Sequence, residues 1–247
     1  MNKAKPSHDY SRANAPRSHT VRVMREIGMA IVAGRYRQGA ILPGDAELMA
    51  KFGVSRTVLR EAMKTLDGKG LLQSRARIGT RVRDRADWNL FDPEVLIWHA
   101  EAGFDAAFLT HVGEMRLALE PEAAALAAER RTPAQLQALY GWVEQMGATG
   151  VTATQFVDAD LNFHLAVAAA AANPFLTSIS TLIEVALVAA LTSSSPVNEP
   201  SGAKNSAAEH RAIVDAIAHQ DADGARAAMR LVIKEGIARA ATGPTPR

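Results

Sequence analysis

The stretch LPGDAELMAKFGVSRTVLREAMKTLDGKG, residues Leu42 to Gly70, reads as two short helices joined by a tight turn. Ala46 to Lys51 carries Leu48 and Met49 on one face, and Phe52-Gly53-Val54 then interrupts the helix with a glycine where a left-handed residue is needed. Ser55 is placed to cap a second helix, whose Val58, Leu59, Ala62, Met63 and Leu66 recur at helical spacing. Two helices around such a turn make a helix-turn-helix.

The polar residues of the second helix indicate what it is for. Ser55, Arg56 and Thr57 lie in its first turn and Arg60 one turn on, so hydroxyls, free backbone N–H groups and two guanidinium groups project from one end. That end fits a DNA major groove, where arginine grips guanine O6 and N7 while hydroxyls and N–H groups hold phosphates. A solvated helix start with two ordinary surface arginines would look the same over these four residues. The next segment separates the two readings. Gly70-Leu71-Leu72 ends the helix and starts a short strand, Arg75-Ala76-Arg77-Ile78-Gly79 is a basic turn, and Thr80-Arg81-Val82-Arg83 is a second strand. Such a basic hairpin is a wing, and Arg75, Arg77, Gly79 and Thr80 are its candidate DNA contacts.

These residues resemble the winged-helix domain of the GntR family of bacterial transcription regulators. Gly34-x-Tyr36-x-x-Gly39, Leu42-Pro43, Glu47-Leu48, Gly53-Val54-Ser55-Arg56-Thr57, Leu59-Arg60-Glu61-Ala62, Gly70-Leu71 and Gly79-Thr80 follow the family's order and spacing. Gly44-Asp45 departs from it, standing where the family usually has Ser or Ala followed by Glu.

The chain has 247 residues, 48% of them hydrophobic, enough for one large or two modest domains with a real core. It has no cysteine, which excludes disulfides and thiolate-zinc sites. The first twenty residues lack the apolar segment of a signal peptide. The longest apolar tract, Ile179 to Leu191, is interrupted by Glu184 and is too short to span a bilayer. The expectation is a soluble, cytoplasmic protein without a membrane partner. Net charge is only +2, but it is unevenly distributed. Residues 1–85 hold 18 Lys and Arg against 7 Asp and Glu, net +11, and residues 86–247 hold 10 against 19, net −9. A basic module that attracts phosphates therefore precedes an acidic one with another task.

In chain order, residues 1–18 are polar, carry Pro6 and Pro16, and are expected to be a disordered tail. Residues 19–84 are expected to form the winged-helix DNA-binding domain, and 85–104 a hinge and linker helix in which Asp92 caps and Pro93 opens the helix. Two tryptophans, Trp88 and Trp98, mark that junction as packed. Residues 105–241 are rich in alanine and leucine and nowhere alternate like a strand. Helices are expected at about 105–130, 133–147, 152–171, 174–192, 205–219 and 221–240. The fold is therefore mainly α, an N-terminal winged helix-turn-helix followed by a C-terminal all-helical bundle.

The second part resembles the FCD effector domain of the FadR-like branch of the GntR family. The resemblance rests on Arg116-x-x-x-Glu120, Leu126-Ala127-Ala128-Glu129-Arg130, Asp160-x-x-Phe163-His164, Asn173-Pro174 and Glu209-His210-x-x-Ile213-x-x-Ala216-Ile217. Within the branch, Trp88-Asn89-x-x-Asp92-x-x-Val95-Leu96-x-Trp98 is similar to the galactonate-operon repressor group, which senses a sugar acid. The resemblance implies a double-stranded DNA operator and a small organic-acid effector, a sugar acid such as galactonate among the candidates. A homodimer is expected because a single winged helix offers few phosphate contacts.

Asp160 and His164 share a helix face with Val157, Leu161 and Ala168, and His210 sits on the stripe of Ile213, Val214 and Ile217. Arg116 replaces an apolar residue on the stripe of Leu109, Val112, Leu119 and Leu126. Burying four polar side chains separately would cost several kcal/mol, so they are expected to meet. Three readings remain open. Asp160, His164 and His210 form a donor set for a divalent metal such as zinc, nickel or manganese. The FCD resemblance implies a third histidine from the last helix, where this chain has Val232. Alternatively, Arg116 clamps an effector carboxylate while Asp160, His164 and His210 complete the effector site without metal. Or Arg116 simply pairs with Glu120 or Asp160 among core histidines. A metal-dependent hydrolytic domain fused to the DNA-binding module is the enzymatic alternative, since three ligands with an open position also build hydrolytic sites. No further acid lies at helical spacing from the trio to serve as its base, and the expectation is a regulator, a repressor rather than an enzyme.

Overall fold

The structure, a computed structural model, describes residues 19–75, 79–103, 106–179, 195–199 and 201–242. The expected tail, Arg77 and most of the Ile179–Leu191 tract lie outside the described residues. The chain divides into two compact units between Ala102 and Gly103.

The first unit is built on α1 (His19–Val32), α2 (Asp45–Phe52), α3 (Arg56–Gly68), the hairpin β1 (Leu72–Arg75) and β2 (Gly79–Val82), and α4 (Pro93–Ala102). Val23, Ile27 and Ile31 of α1 meet Leu48, Phe52, Leu59 and Leu66 in one buried cluster. The turn between α2 and α3 closes as its sequence requires. Gly53 takes φ +62 and its N–H bonds Met49 O, and the Ser55 hydroxyl then accepts from Val58 N at 3.4 Å. The strands pair antiparallel from Leu72 opposite Val82 to Arg75 opposite Gly79. Residues 39–42 add a third edge, with Leu42 N donating to Thr80 O at 2.8 Å and Val82 N to Ala40 O at 2.9 Å.

Residues 85–102 fold onto this unit. Asp92 caps α4 by accepting from Glu94 N and Val95 N at 3.0 and 3.2 Å. Lys69, buried at the end of α3, donates to both oxygens of Asp92 at 2.7 and 2.8 Å and pairs with Glu94 at 2.7 Å. Trp98 lies flat against α1, where a Cβ at Gly28 would come within 2.3 Å of the indole. The Trp88 indole donates to Arg83 O at 3.1 Å.

The second unit is helical throughout its described residues: α5 (Ala106–Arg130), α6 (Pro133–Met146), α7 (Ala153–Ala170), α8 (described over 174–179), α9 (Gly202–Ala218) and α10 (Ala222–Thr242), with a short 3-10 turn at Pro196–Asn198. Capping boxes start α6 and α7, pairing Thr132 with Gln135 and Thr152 with Gln155. The helix expected from about 205 begins at Gly202 instead. Ser201 takes φ +66, and the helix start tucks under the Pro196 carbonyl, which a Cβ at Gly202 would meet at 2.1 Å. Phe156, Phe163, Leu139, Met146 and Ile213 fill the core, and Ala123, Ala124, Ala127 and Ala128 let α5 approach its neighbours closely. Gly113 does the same against α10, since a Cβ there would stand 2.6 Å from Ile237 Cδ1.

Gly70 and Gly53 both hold positive φ, but a Cβ at Gly70 would meet the backbone carbonyl of Asp87 at 2.2 Å, whereas at Gly53 nothing lies within 4 Å. Gly53→Ala is expected to cost about 1 kcal/mol from the left-handed backbone alone, and Gly70→Ala about 3 kcal/mol because the carbonyl must also move. Urea unfolding of the two variants measures the difference, and equal losses would show that the Asp87 carbonyl gives way freely.

Candidate functional site

The polar end of α3 stands free of the fold. Ser55, Arg56, Thr57 and Arg60 are exposed, and neither arginine makes a hydrogen bond among the described residues. Lys64, not singled out from the sequence, follows Arg56 and Arg60 at intervals of four, and it too is exposed. The three cations therefore form one stripe along the outer face of α3. On the wing, Arg75 is exposed and its Nε bonds Gln73 Oε1 at 3.1 Å. Gly79 opens β2, and Thr80 is half-buried with its carbonyl tied to Leu42. The neighbouring Arg81 and Arg83 turn inward to backbone carbonyls, Gly39 O at 3.2 Å and Leu72 O at 2.8 Å.

In the second unit the structure brings Arg116, Asp160, His164 and His210 together and adds Glu120. All five are buried. Arg116 and Glu120 sit one turn apart on α5, with Arg116 Nε donating to Glu120 Oε1 at 2.5 Å and Nη2 to Oε2 at 3.3 Å. His164 on α7 reaches both, its Nδ1 lying 2.7 Å from Glu120 Oε2 and its Nε2 3.3 Å from Arg116 Nη2. Its Nδ1 is not aligned for a good hydrogen bond, yet two acceptors cannot face each other at that separation, so the proton belongs on Nδ1. The other contact agrees, because a guanidinium only donates and therefore needs the lone pair on Nε2.

His210 on α9 is fixed in the same way. Its Nδ1 lies 2.7 Å from Ser206 O, a carbonyl that only accepts, which assigns a proton to Nδ1 and turns Nε2 inward. Nε2 stands 3.1 Å from Asp160 Oδ1 but is not aligned to donate to it and is otherwise without a partner. The Phe163 ring packs nearly perpendicular to both imidazoles, at 5.6 and 5.0 Å between centroids.

Burial alone would raise both carboxyls, but neighbours prevail. Arg116 and then His164 hold Glu120 well below the ordinary glutamate value. His210, then His164 and Arg116, hold Asp160 below its own. Burial opposes the charge on Arg116, and Glu120 more than restores it.

Asp160, His164 and His210 each offer one ligand atom, and these atoms lie within 4.8 Å of one another. Two imidazole nitrogens and a carboxylate are donors for a divalent transition metal. The site fits one, because these three donor atoms converge from two helices at a buried point. Val232, at the place of the expected third histidine, is buried in the apolar core. Of the serine run before Pro196, Ser193 and Ser194 lie outside the described residues, and Ser195 caps the short turn by accepting from Val197 N at 3.4 Å.

A basic winged helix joined to a helical domain with a buried polar cluster defines a DNA-binding regulator with a ligand-responsive second domain. Residues 19–82 match the bacterial regulatory proteins of the gntR family, and residues 111–235 match the FCD domain. The HTH-type transcriptional regulator YieP of Escherichia coli K12 is 36% identical, covering 85% of this chain and 90% of that protein. The galactonate operon transcriptional repressor of the same strain is 33% identical, covering 89% and 96%. The solved structure of Lar, which controls expression of the agr system in Listeria monocytogenes, shares the fold with a TM-score of 0.63 and 20% identity over 92% of this chain and 99% of Lar. The chain belongs to the GntR family of transcription regulators, in the group that carries an FCD domain, and these relatives are regulators rather than enzymes. No helix among the described residues is long and apolar enough to cross a membrane.

Because folding holds Glu120 and Asp160 below their ordinary values, the unfolded chain binds protons more readily than the folded one. The stability the pair contributes is present above about pH 4.3 and is lost as pH falls below it. Circular dichroism should show a shallower acid-side loss of stability in Glu120→Gln than in the wild type, and superimposable profiles would mean that Glu120 is not held ionised by the fold.

Proposed function

We propose that this protein is a homodimeric, cytoplasmic repressor of an operon for sugar-acid or related hydroxy-acid catabolism, released from its operator by a small carboxylate bound in the buried cluster of the second unit. The observation that carries this reading is the convergence of Arg116, Asp160, His164 and His210, with Glu120, inside a largely apolar bundle. A purely structural bundle gains little from such a group, because buried ion pairs are no more stabilising than apolar packing. The similarity to the galactonate operon repressor supports a sugar acid, and galactonate is the first candidate.

Asp160, His164 and His210 would hold zinc, nickel or manganese, and when bound such a cation supplies positive charge and open positions for the oxygens of a hydroxy acid. The convergence of one donor atom each from Asp160, His164 and His210 within 4.8 Å favours this over a metal-free effector site. Arg116 then supplies hydrogen bonds to the carboxylate. On the DNA side, Ser55 and Thr57 hold phosphates at the start of α3, Arg56 and Arg60 read bases, and Lys64 with Arg75, Arg77, Gly79 and Thr80 of the wing bind the backbone. Two such units in a dimer read two half-sites.

Arg56→Ala should weaken operator binding by roughly 10- to 100-fold and relax specificity, whereas Lys64→Ala should weaken all sequences alike and reduce the slope of log K against log salt by about 1. Titrations at several salt concentrations test both, and a shallow wild-type slope contradicts the phosphate-binding role. In a thermal-shift screen, a sugar acid at about 100 times its dissociation constant should add roughly 2.7 kcal/mol to the wild type. The gain should vanish in Asp160→Asn and with chelator. Absence of a shift with every acid would argue against the carboxylate effector.

A further inference from the structure

The contacts of His164 contain a conflict. Its Nδ1 is committed to Glu120 at 2.7 Å, so Nε2 offers its one lone pair to whatever positive group lies beside it. That group is Arg116, whose Nη2 stands 3.3 Å away. A metal held by Asp160, His164 and His210 needs a lone pair from each imidazole. The inward lone pair of His210 is its Nε2, since Ser206 O takes Nδ1, and that of His164 is the one Arg116 already uses. Glu120 sets this arrangement by holding the guanidinium through two oxygens while fixing the proton of His164 on the far side of the ring.

We propose that Arg116 and a divalent cation compete for the Nε2 lone pair of His164, so that loading the Asp160–His164–His210 site detaches the guanidinium from the ring and leaves that N–H free for an effector carboxylate. The inference rests on the metal reading of those three residues. It makes Arg116 a resident cation in the metal-free protein, and it makes Glu120 a positioning residue that governs both partners of the exchange. Binding then has an order, with cation before carboxylate, because the anion meets a freed donor only after the exchange. The cluster's formal charges agree. Arg116 and Glu120 cancel, Asp160 leaves −1, and an anion entering without a cation would face that charge in a buried setting.

Isothermal titration of the metal-stripped full chain with Mn²⁺ tests the exchange, using wild type, Arg116→Gln, the double variant Arg116→Gln/Glu120→Gln, and His210→Ala. The double variant is decisive. It removes one positive and one negative charge together, so the net charge of the cluster is unchanged while the lone pair of His164 is released. Circular dichroism establishes that each variant is folded, and the paired replacement adds no buried charge to the −1 already left by Asp160. Mn²⁺ should bind the double variant about tenfold or more tightly than the wild type, and His210→Ala should bind it weakly. If wild type and double variant bind Mn²⁺ equally and His210→Ala does not, the metal site stands and the competition is overturned. If none of the four proteins binds the ion, the metal reading falls and the competition with it.

Discussion

Glu120 and Asp160 lie inside a bundle built largely from alanine, valine and isoleucine, where an ionised carboxylate without a partner costs several kcal/mol. Each must therefore be met by a cation or an N–H group, and the partners come from three helices. Arg116 meets Glu120 from one turn away on α5, His164 reaches across from α7, and His210 comes in from α9. The registers of α5, α7 and α9 are in this way tied to one another by charge as well as by packing. The alanines of α5 make the distances attainable, because bulkier side chains would hold the helices too far apart for an imidazole to bridge them.

Much of this cluster is legible in the sequence. Arg116, Asp160, His164 and His210 each interrupt an apolar stripe, and a polar residue at an apolar position needs a partner. Glu120 is visible as the residue one turn after Arg116. What spacing cannot give is the choice of partner. Arg116 could pair with Glu120 or Asp160 by sequence alone, and only the helix packing decides that it takes Glu120 directly and feels Asp160 through space. The tautomer of His164 is likewise non-local, since it follows from Glu120 on another helix, whereas the Nδ1 proton of His210 follows from Ser206 O one turn back on its own helix.

The first unit shows the same division. Gly53 and Ser55 announce the turn and the cap because both act within a few residues. Lys69 looks in sequence like an ordinary surface lysine at a helix end. It is buried because the chain returns with Asp92 and Glu94 more than twenty residues later and closes over it. Lys64 is the opposite case. Its four-residue interval from Arg60 is readable in the sequence, but it lies beyond the short motif at the start of α3.

The fit of Trp98 over Gly28 sets the size of the portable part of this protein. An exchange of DNA-reading modules between relatives that cut the chain after the wing, at Val82, would strip α1 of its cover and separate Lys69 from both of its carboxylates. The smallest cassette that carries its own core runs to Ala102. The same contact makes positions 28 and 98 interchangeable only as a couple, since a side chain gained on α1 has room only where the indole is lost.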